Sequence, residues 1–324
     1  MRRQIILGIL AMSGALSLLT GGGRPVVYGQ EPAKSLHIRF VAGLKSGADP
    51  LKRESMFSAM YLVTGGGRHV AALDTDDGVV LVDTKPAGWG SLLEEKIGLV
   101  TDHPVTMIVN SNPTGAANNS SFQMATDIIA HENTRADLAR LDAFKGPNAR
   151  FLPNKTFKDR LSLKLKTVGE FNGTNRVDLY YFGPAHSNGD IVAVFPSFGV
   201  AFLGDLFPGR MAPVIDTANG GSLVAFPDTV DKAVAALKDL QLDALVPGRA
   251  DPPGNVVQKW MSVSDLQEYA DFNREFLKAV RASLAAGKSV DQAMAALVLP
   301  EKYKSYTMDN ARANVAAIYN ELKK

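Results

Sequence analysis

Val105-Thr106-Met107-Ile108-Val109-Asn110-Ser111-Asn112-Pro113-Thr114-Gly115-Ala116-Ala117-Asn118-Asn119 joins an apolar run to a loop of small and amide side chains. A short apolar run that stops at turn residues reads as a strand buried in a sheet. The loop therefore leaves the end of a core strand, a place where a rigid scaffold holds side chains for chemistry. Two other segments repeat the construction. Gly183-Pro184-Ala185-His186-Ser187-Asn188-Gly189-Asp190 stands before the apolar run from Ile191. Phe202-Leu203-Gly204-Asp205-Leu206 is matched by the later Val246-Pro247-Gly248-Arg249.

Outward from these loops the chain divides into two similar halves. On the N-terminal side, Ala59 to Thr64 and Arg68 to Leu73 are β-favourable runs joined by Gly65-Gly66-Gly67, and Asp76-Asp77-Gly78 turns the chain into Val79 to Asp83. Asp-Gly between apolar runs marks a hairpin, so this part is expected to be an antiparallel meander. Gly88 to Val100, with Leu92, Leu93, Ile97 and Leu99, has helical spacing. Next come a strand at Thr126 to Ala130 and a helix to Leu141, capped by Asn133 or Thr134. Lys155 to Lys166, Arg176 to Phe182, Ile191 to Phe195 and Gly199 to Leu203 predict a second meander. Asp228 to Leu240 is an amphipathic helix with Val230, Ala233, Val234 and Leu237 on one face, and Ala244 to Val246 is a short strand. Helices are expected at Val263 to Ala286, Ser289 to Leu297 and Asp309 to Leu322, with Tyr269, Phe272 and Phe276 forming a packing stripe. Two such halves predict an α/β (α+β) protein, two sheets face to face with helices outside.

At the start of the 324-residue chain, Arg2 and Arg3 precede an apolar run from Ile5 to Leu19 that is short for a bilayer span. This reads as a signal peptide over residues 1–30, with an uncleaved anchor as the alternative, and it places the mature protein in the bacterial periplasm or outside the cell. The sequence contains no cysteine, which removes disulfides, thiolate zinc sites and cysteine nucleophiles. The formal charge of +2 belongs to the leader: without Arg2, Arg3 and Arg24, 32 basic residues face 33 acidic ones. Neither a nucleic-acid footprint nor a membrane span is expected of the mature part. About 290 residues then remain, enough for a full core.

In order and spacing, Asp83, Gly183 to Asp190, Leu203-Gly204-Asp205 and Val246-Pro247-Gly248 resemble the metallo-β-lactamase superfamily, in particular an exported bacterial branch with a helical tail. The resemblance runs from Tyr61 to the C-terminus. It implies a four-layer αβ/βα sandwich over residues 31–260 and a helical extension over 261–324. Members carry His-x-His-x-Asp-His in the first loop, a histidine in the second, an aspartate in the third and a last histidine after Pro-Gly. Laid on this chain, the pattern puts Asn112, Thr114, Ala116 and Ala117 where the first motif's ligands stand, and Arg249 at the last histidine. Only His186 and Asp205 keep the ligand type.

A catalytic zinc ion needs about three protein ligands beside its water. Alanine offers no donor, neutral amide and hydroxyl oxygens are poor substitutes for imidazole, and a permanent cation repels the metal. The implied protein is zinc-free, expects no cofactor, and binds a small molecule or a protein in the former cleft. The alternatives are a hydrolase with a rebuilt site, one zinc on His186 and Asp205 with Asn112, and an interaction protein acting through its tail. Asp205 then needs a local cation, and an ion pair with Arg249 is expected. His37, His69, His103 and His131 are read as surface or strand-edge residues, and Gly65-Gly66-Gly67 as a hairpin turn, since no phosphate-binding Lys-Ser/Thr follows. No nucleophile elbow surrounds Ser111, Ser120 or Ser121.

Overall fold

The Asp76-Asp77-Gly78 turn closes β3 (Val70–Thr75) onto β4 (Gly78–Val82), with Leu73 opposite Val80 and Ala71 opposite Val82. The computed structural model describes residues 35–42, 60–165, 176–249 and 261–323, and the leader expected at residues 1–30 lies outside them. β2 (Met60–Thr64) pairs antiparallel with β3 across a turn in which Gly65, Gly66 and Gly67 all adopt positive φ, and β1 (His37–Ala42) pairs antiparallel with β2. β5 (Val105–Asn110), β6 (Asp127–His131) and β7 (Lys155–Phe157) continue from β4 in parallel, giving a seven-stranded sheet in the order β1 to β7.

The second sheet has five strands, ordered β12-β11-β10-β9-β8. β8 (Arg160–Lys164), β9 (Arg176–Tyr181), β10 (Ile191–Phe195) and β11 (Val200–Phe202) form an antiparallel meander, and β12 (Ala244–Val246) joins β11 in parallel.

Side-chain alternation along the strands sorts the core into layers. Val80 and Val82 of β4 and Val109 of β5 face Val177, Leu179, Ala193 and Phe202 of the second sheet in one apolar cluster. Val79, Leu81 and Ile108 point the other way, onto Leu93 and Ile97 of α1 (Gly90–Ile97) and Leu138 of α2 (Glu132–Leu138). Val192, Val194 and Ala201 of the second sheet meet Phe226, Val230, Ala233 and Leu237 of α3 (Phe226–Leu237) and Leu266, Tyr269 and Phe272 of α4 (Val263–Ala285). The result is the helix, sheet, sheet, helix sandwich expected from the two-halves pattern. Phe276, Leu277 and Val280 of α4 form a last cluster with Ala293 of α5 (Val290–Ala295) and Val315 and Ile318 of α6 (Ala311–Leu322). Among the described residues no helix is long and apolar enough to cross a membrane.

Three local expectations are corrected. The strand expected over Lys155 to Lys166 is two strands in different sheets, β7 on β6 and β8 on β9. Lys158-Asp159 interrupts the apolar alternation there, and the chain uses these polar residues to cross between sheets. The helix expected to be capped by Asn133 or Thr134 starts earlier: Nδ1 of His131 accepts from the Asn133 amide as its N-cap. Asn133 and Thr134 instead donate their side chains to the carbonyls of Asn188 and Gly189. Of the four histidines read as surface or strand-edge residues, His69 and His131 stand at strand ends as read but are buried there, whereas His37 and His103 lie outside the core.

His131 stacks on Tyr181 at 3.8 Å between ring centroids, and its Nε2 lies 2.8 Å from the Lys158 carbonyl. That carbonyl fixes Nε2 as the donor and leaves Nδ1 bare for capping, so a proton on Nδ1 would destroy the cap. Burial is the main cause that lowers the pKa of His131 below its ordinary 6.5, against the Lys158 carbonyl and nearby acids. A histidine kept neutral by folding binds fewer protons in the native state. Its contribution is therefore complete above 6.5 and is lost as pH falls through the lowered value. Urea unfolding of wild type and His131→Asn, which keeps a capping oxygen without titrating, should show a wild-type advantage at about pH 7.5 that shrinks by about pH 5.

Candidate functional site

Six strand ends and turns deliver side chains to one edge of the sandwich. Arg68 comes from the β2–β3 turn, Asp83 from the end of β4, Asn112 from the loop after β5, His186 from the β9–β10 loop, Asp205 from the turn after β11, and Arg249 from the segment after β12. Backbone hydrogen bonds fix their approach: Ile191 N donates to Ser111 O at 2.9 Å, Leu203 N to Val246 O at 2.9 Å, and His69 N to Gly248 O at 2.9 Å. Nδ1 of His69 adds a contact with the Pro247 carbonyl at 2.9 Å. Gly248 permits a close approach, because a Cβ there would sit 2.2 Å from the Gly204 backbone, next to Asp205. The Pro-Gly step thus brings Arg249 onto the aspartate turn.

Asp205 is the centre of the edge and is buried. Its Oδ1 accepts from Nε of Arg249 at 2.8 Å. Its Oδ2 meets Nη2 of Arg68 at 2.5 Å and accepts from Nδ2 of Asn112 at 2.9 Å, with Nε2 of His186 at 3.7 Å. Burial works against the ionised form, yet Arg68, His186 and Arg249 outweigh it and hold the carboxyl well below the usual carboxylate range. The expected Arg249 to Asp205 pair is present, through Nε alone. Arg68, which the sequence reading passed over, occupies the other carboxylate oxygen.

The first loop is held by its own amides. Oδ1 of Asn112 accepts from Gly115 N and from Oγ1 of Thr114, at 3.1 and 2.6 Å, so both ends of the Asn112 side chain are engaged. Asn110 and Asn119 exchange side-chain hydrogen bonds at 2.9 and 3.0 Å, and Nδ2 of Asn118 reaches the carbonyls of Thr84, Lys85 and Pro86. Of the other positions matched to the first motif, Thr114 is half-buried and Ala117 is exposed. Ala116 packs in the apolar cluster beneath α1 rather than among the polar groups at Asp205. The structure therefore joins Asn112, His186, Asp205 and Arg249, touches Thr114 through Asn112, and leaves Ala116 and Ala117 outside the charged cluster.

Behind His186 lies a chain of contacts from the C-terminal helix. Nδ1 of His186 lies 2.8 Å from the Val214 carbonyl, and Asp216 N donates to the His186 carbonyl at 2.7 Å. The same segment is gripped by α6 and the residue before it, since Nδ2 of Asn314 donates to Pro213 O at 3.0 Å and Nδ2 of Asn310 to Ala212 O at 3.2 Å. Two further buried carboxylates belong to this edge. Asp83, in the left-handed region at φ +67°, accepts from the Ser111 amide and hydroxyl at 2.7 and 2.6 Å. Asp190 accepts from the Ser187 amide at 2.5 Å. Burial pushes each of them up to about 6, against the hydrogen bonds from the serines.

These residues do not fit a zinc ion. Among the described residues no three His, Asp or Glu side chains gather as a metal-holding group. The chemistry of the donors agrees: both oxygens of Asp205 are committed to guanidinium and amide N–H groups.

No protein-family model matches the sequence, and no curated protein matches it. Solved structures do. A metallo-β-lactamase from Pontibacter korlensis aligns with a TM-score of 0.54 at 17% identity, covering 74% of this chain and 99% of that one. The stereoselective inverting sec-alkylsulfatase Pisa1 from Pseudomonas sp. aligns with a TM-score of 0.59 at 14% identity, over 87% of this chain. This chain spans 50% of the alkylsulfatase's length. The metallo-β-lactamase IND-7 gives 0.50 at 16% identity, over 75% of this chain and 100% of that one. The fold is that of the metallo-β-lactamases.

The commitment of Asp205 makes Asn112→Asp informative, because it sets a second carboxylate against the first at a fully buried position. Unfolding by urea at about pH 7.5 should show a loss on the order of 3 kcal/mol, largely recovered near pH 5 as one of the pair takes up a proton.

Proposed function

We propose that this chain is a zinc-free, catalytically degenerate protein of metallo-β-lactamase fold that binds a small molecule or a protein in the cleft at Asp205. The observation that carries this reading is the seating of Arg249 and Arg68 on opposite oxygens of the buried Asp205 carboxylate, at 2.8 and 2.5 Å. A metal ion at Asp205 would have to displace both guanidiniums and face them at close range. Two fixed positive charges oppose that in a buried setting, where Coulomb terms are weakly screened. Asn112, which the resemblance sets at a histidine-ligand position, contributes an N–H to Asp205 rather than a lone pair to a metal. At Asp205 the cluster presents cations where a metal-binding site would present ligands. We further propose that the protein acts outside the cytoplasm, on the strength of the leader-like residues Arg2 to Leu19.

Metal analysis of the purified protein tests the reading. After dialysis against buffer without chelator, zinc should be far below one equivalent, and near-stoichiometric zinc that survives dialysis overturns it in favour of a rebuilt metallo-hydrolase. Ala117→His should leave the zinc content where it is, because the Ala117 side chain is exposed and Asp205 remains held by Arg68 and Arg249. A variant that gained tight zinc by that single change would show the guanidiniums to be no obstacle.

A further inference from the structure

Each guanidinium at the cleft carries more N–H donors than Asp205 can accept. Arg249 donates to the carboxylate through Nε, among the described residues its two Nη groups make no hydrogen bond, and a quarter (25%) of its side chain is exposed. Arg68 reaches it by one Nη, with 8% of its side chain exposed. One carboxylate thus holds two cations side by side, and the more exposed of them holds it through Nε. Asp83 accepts from the Ser111 amide and hydroxyl and Asp190 from the Ser187 amide, and among the described residues neither makes an ion pair with Arg68 or Arg249. Lys85, buried as well, gives its Nζ to the carbonyls of Val63, Gly65 and Arg68.

We propose that the cleft takes the oxyanion group of its ligand, a carboxylate, sulfate or phosphate, on the Nη groups of Arg249 with Arg68 beside it. Planar guanidinium forks match such groups in geometry and charge. The proposal rests on the cleft-binding reading and narrows it to one ligand chemistry. It assigns Arg249 two roles: Nε holds Asp205, and the Nη pair holds the ligand.

Titration of the full chain with sodium sulfate, sodium phosphate, sodium benzoate and the uncharged benzamide, at constant ionic strength in chloride, distinguishes the outcomes. Binding is read by calorimetry and located by the imidazole signals of His186 and the guanidinium signals of Arg249 in nuclear magnetic resonance spectra. At least one anion should bind and shift those signals, and Arg249→Gln should weaken it by about tenfold or more, the scale of one charge-assisted contact. Preference among the three anions identifies whether the group is planar or tetrahedral. If Arg249→Gln fails to fold, Arg249→Lys, which keeps the charge and loses the fork, should still weaken binding. Equal affinity in a folded variant overturns the proposal. Benzamide shifting the same signals while all three anions leave them unmoved overturns the anion class and keeps the cleft reading. Silence of the cleft to every probe overturns both.

Discussion

A buried carboxylate is the constraint on which this edge of the molecule depends. Removing Asp205 from water without compensation would cost several kcal/mol or force it to hold a proton. The chain meets that demand from both sheets at once. Arg68 arrives from the β2–β3 turn of the first sheet and Arg249 from the end of β12 in the second, with Asn112 donating from the loop after β5. The ion cluster is therefore also a clasp between the two sheets at the end where the apolar core stops. Such a clasp fixes geometry more than it adds stability, since the desolvation of three charged groups consumes much of what their attraction returns.

The amide-rich first loop follows from the same logic. Where a metal is bound, its ligands hold a loop by coordination, and a loop without that tie needs another source of order. Here the order comes from asparagine. Asn110 and Asn119 pair reciprocally, Asn118 ties the loop to three successive carbonyls of residues 84–86, and Asn112 bridges Gly115 and Asp205. A primary amide donates and accepts at once, which lets one residue type satisfy both kinds of buried backbone group. Asp83 shows the cost of the arrangement. It is held at positive φ, a conformation that a non-glycine residue keeps only when its surroundings fix it, and the two hydrogen bonds from Ser111 do so.

How far the sequence could be read depended on the range of the forces involved. The sandwich was legible because alternation and turn chemistry are local: Asp77-Gly78 dictates the β3–β4 hairpin, and the doubly apolar β4, β5 and β10 announce burial on both faces. The Arg249 to Asp205 pair was legible because a buried acid requires a cation and the aligned loops supplied one. Arg68 was not, because it sits 137 positions from Asp205 in a glycine turn whose apolar neighbours gave no sign of charge. Ala116 illustrates the opposite failure. Its alignment with a ligand position fixed a place in the loop, while its lack of any polar atom let it turn into the apolar cluster under α1. The division of Lys155 to Lys166 between two sheets escaped for a third reason: a strand run and a sheet-to-sheet crossing differ by only the two polar residues Lys158 and Asp159.

The helical tail belongs to this account rather than beside it. Packing alone would place α4 against the second sheet, as Tyr269 and Phe272 do in the apolar cluster with α3. The polar contacts go further. Asn310 and Asn314 hold the carbonyls of Ala212 and Pro213, and the next carbonyl, that of Val214, fixes Nδ1 of His186. The hydrogen on that Nδ1 leaves Nε2 turned toward Asp205 at 3.7 Å, too long for a hydrogen bond and near enough to feel the carboxylate. The ring orientation at the cleft is thus set by α6 and the residue before it, two steps away along the backbone. A displacement of α6 would reach the cleft by loosening this one carbonyl, without any contact between the tail and Asp205 itself.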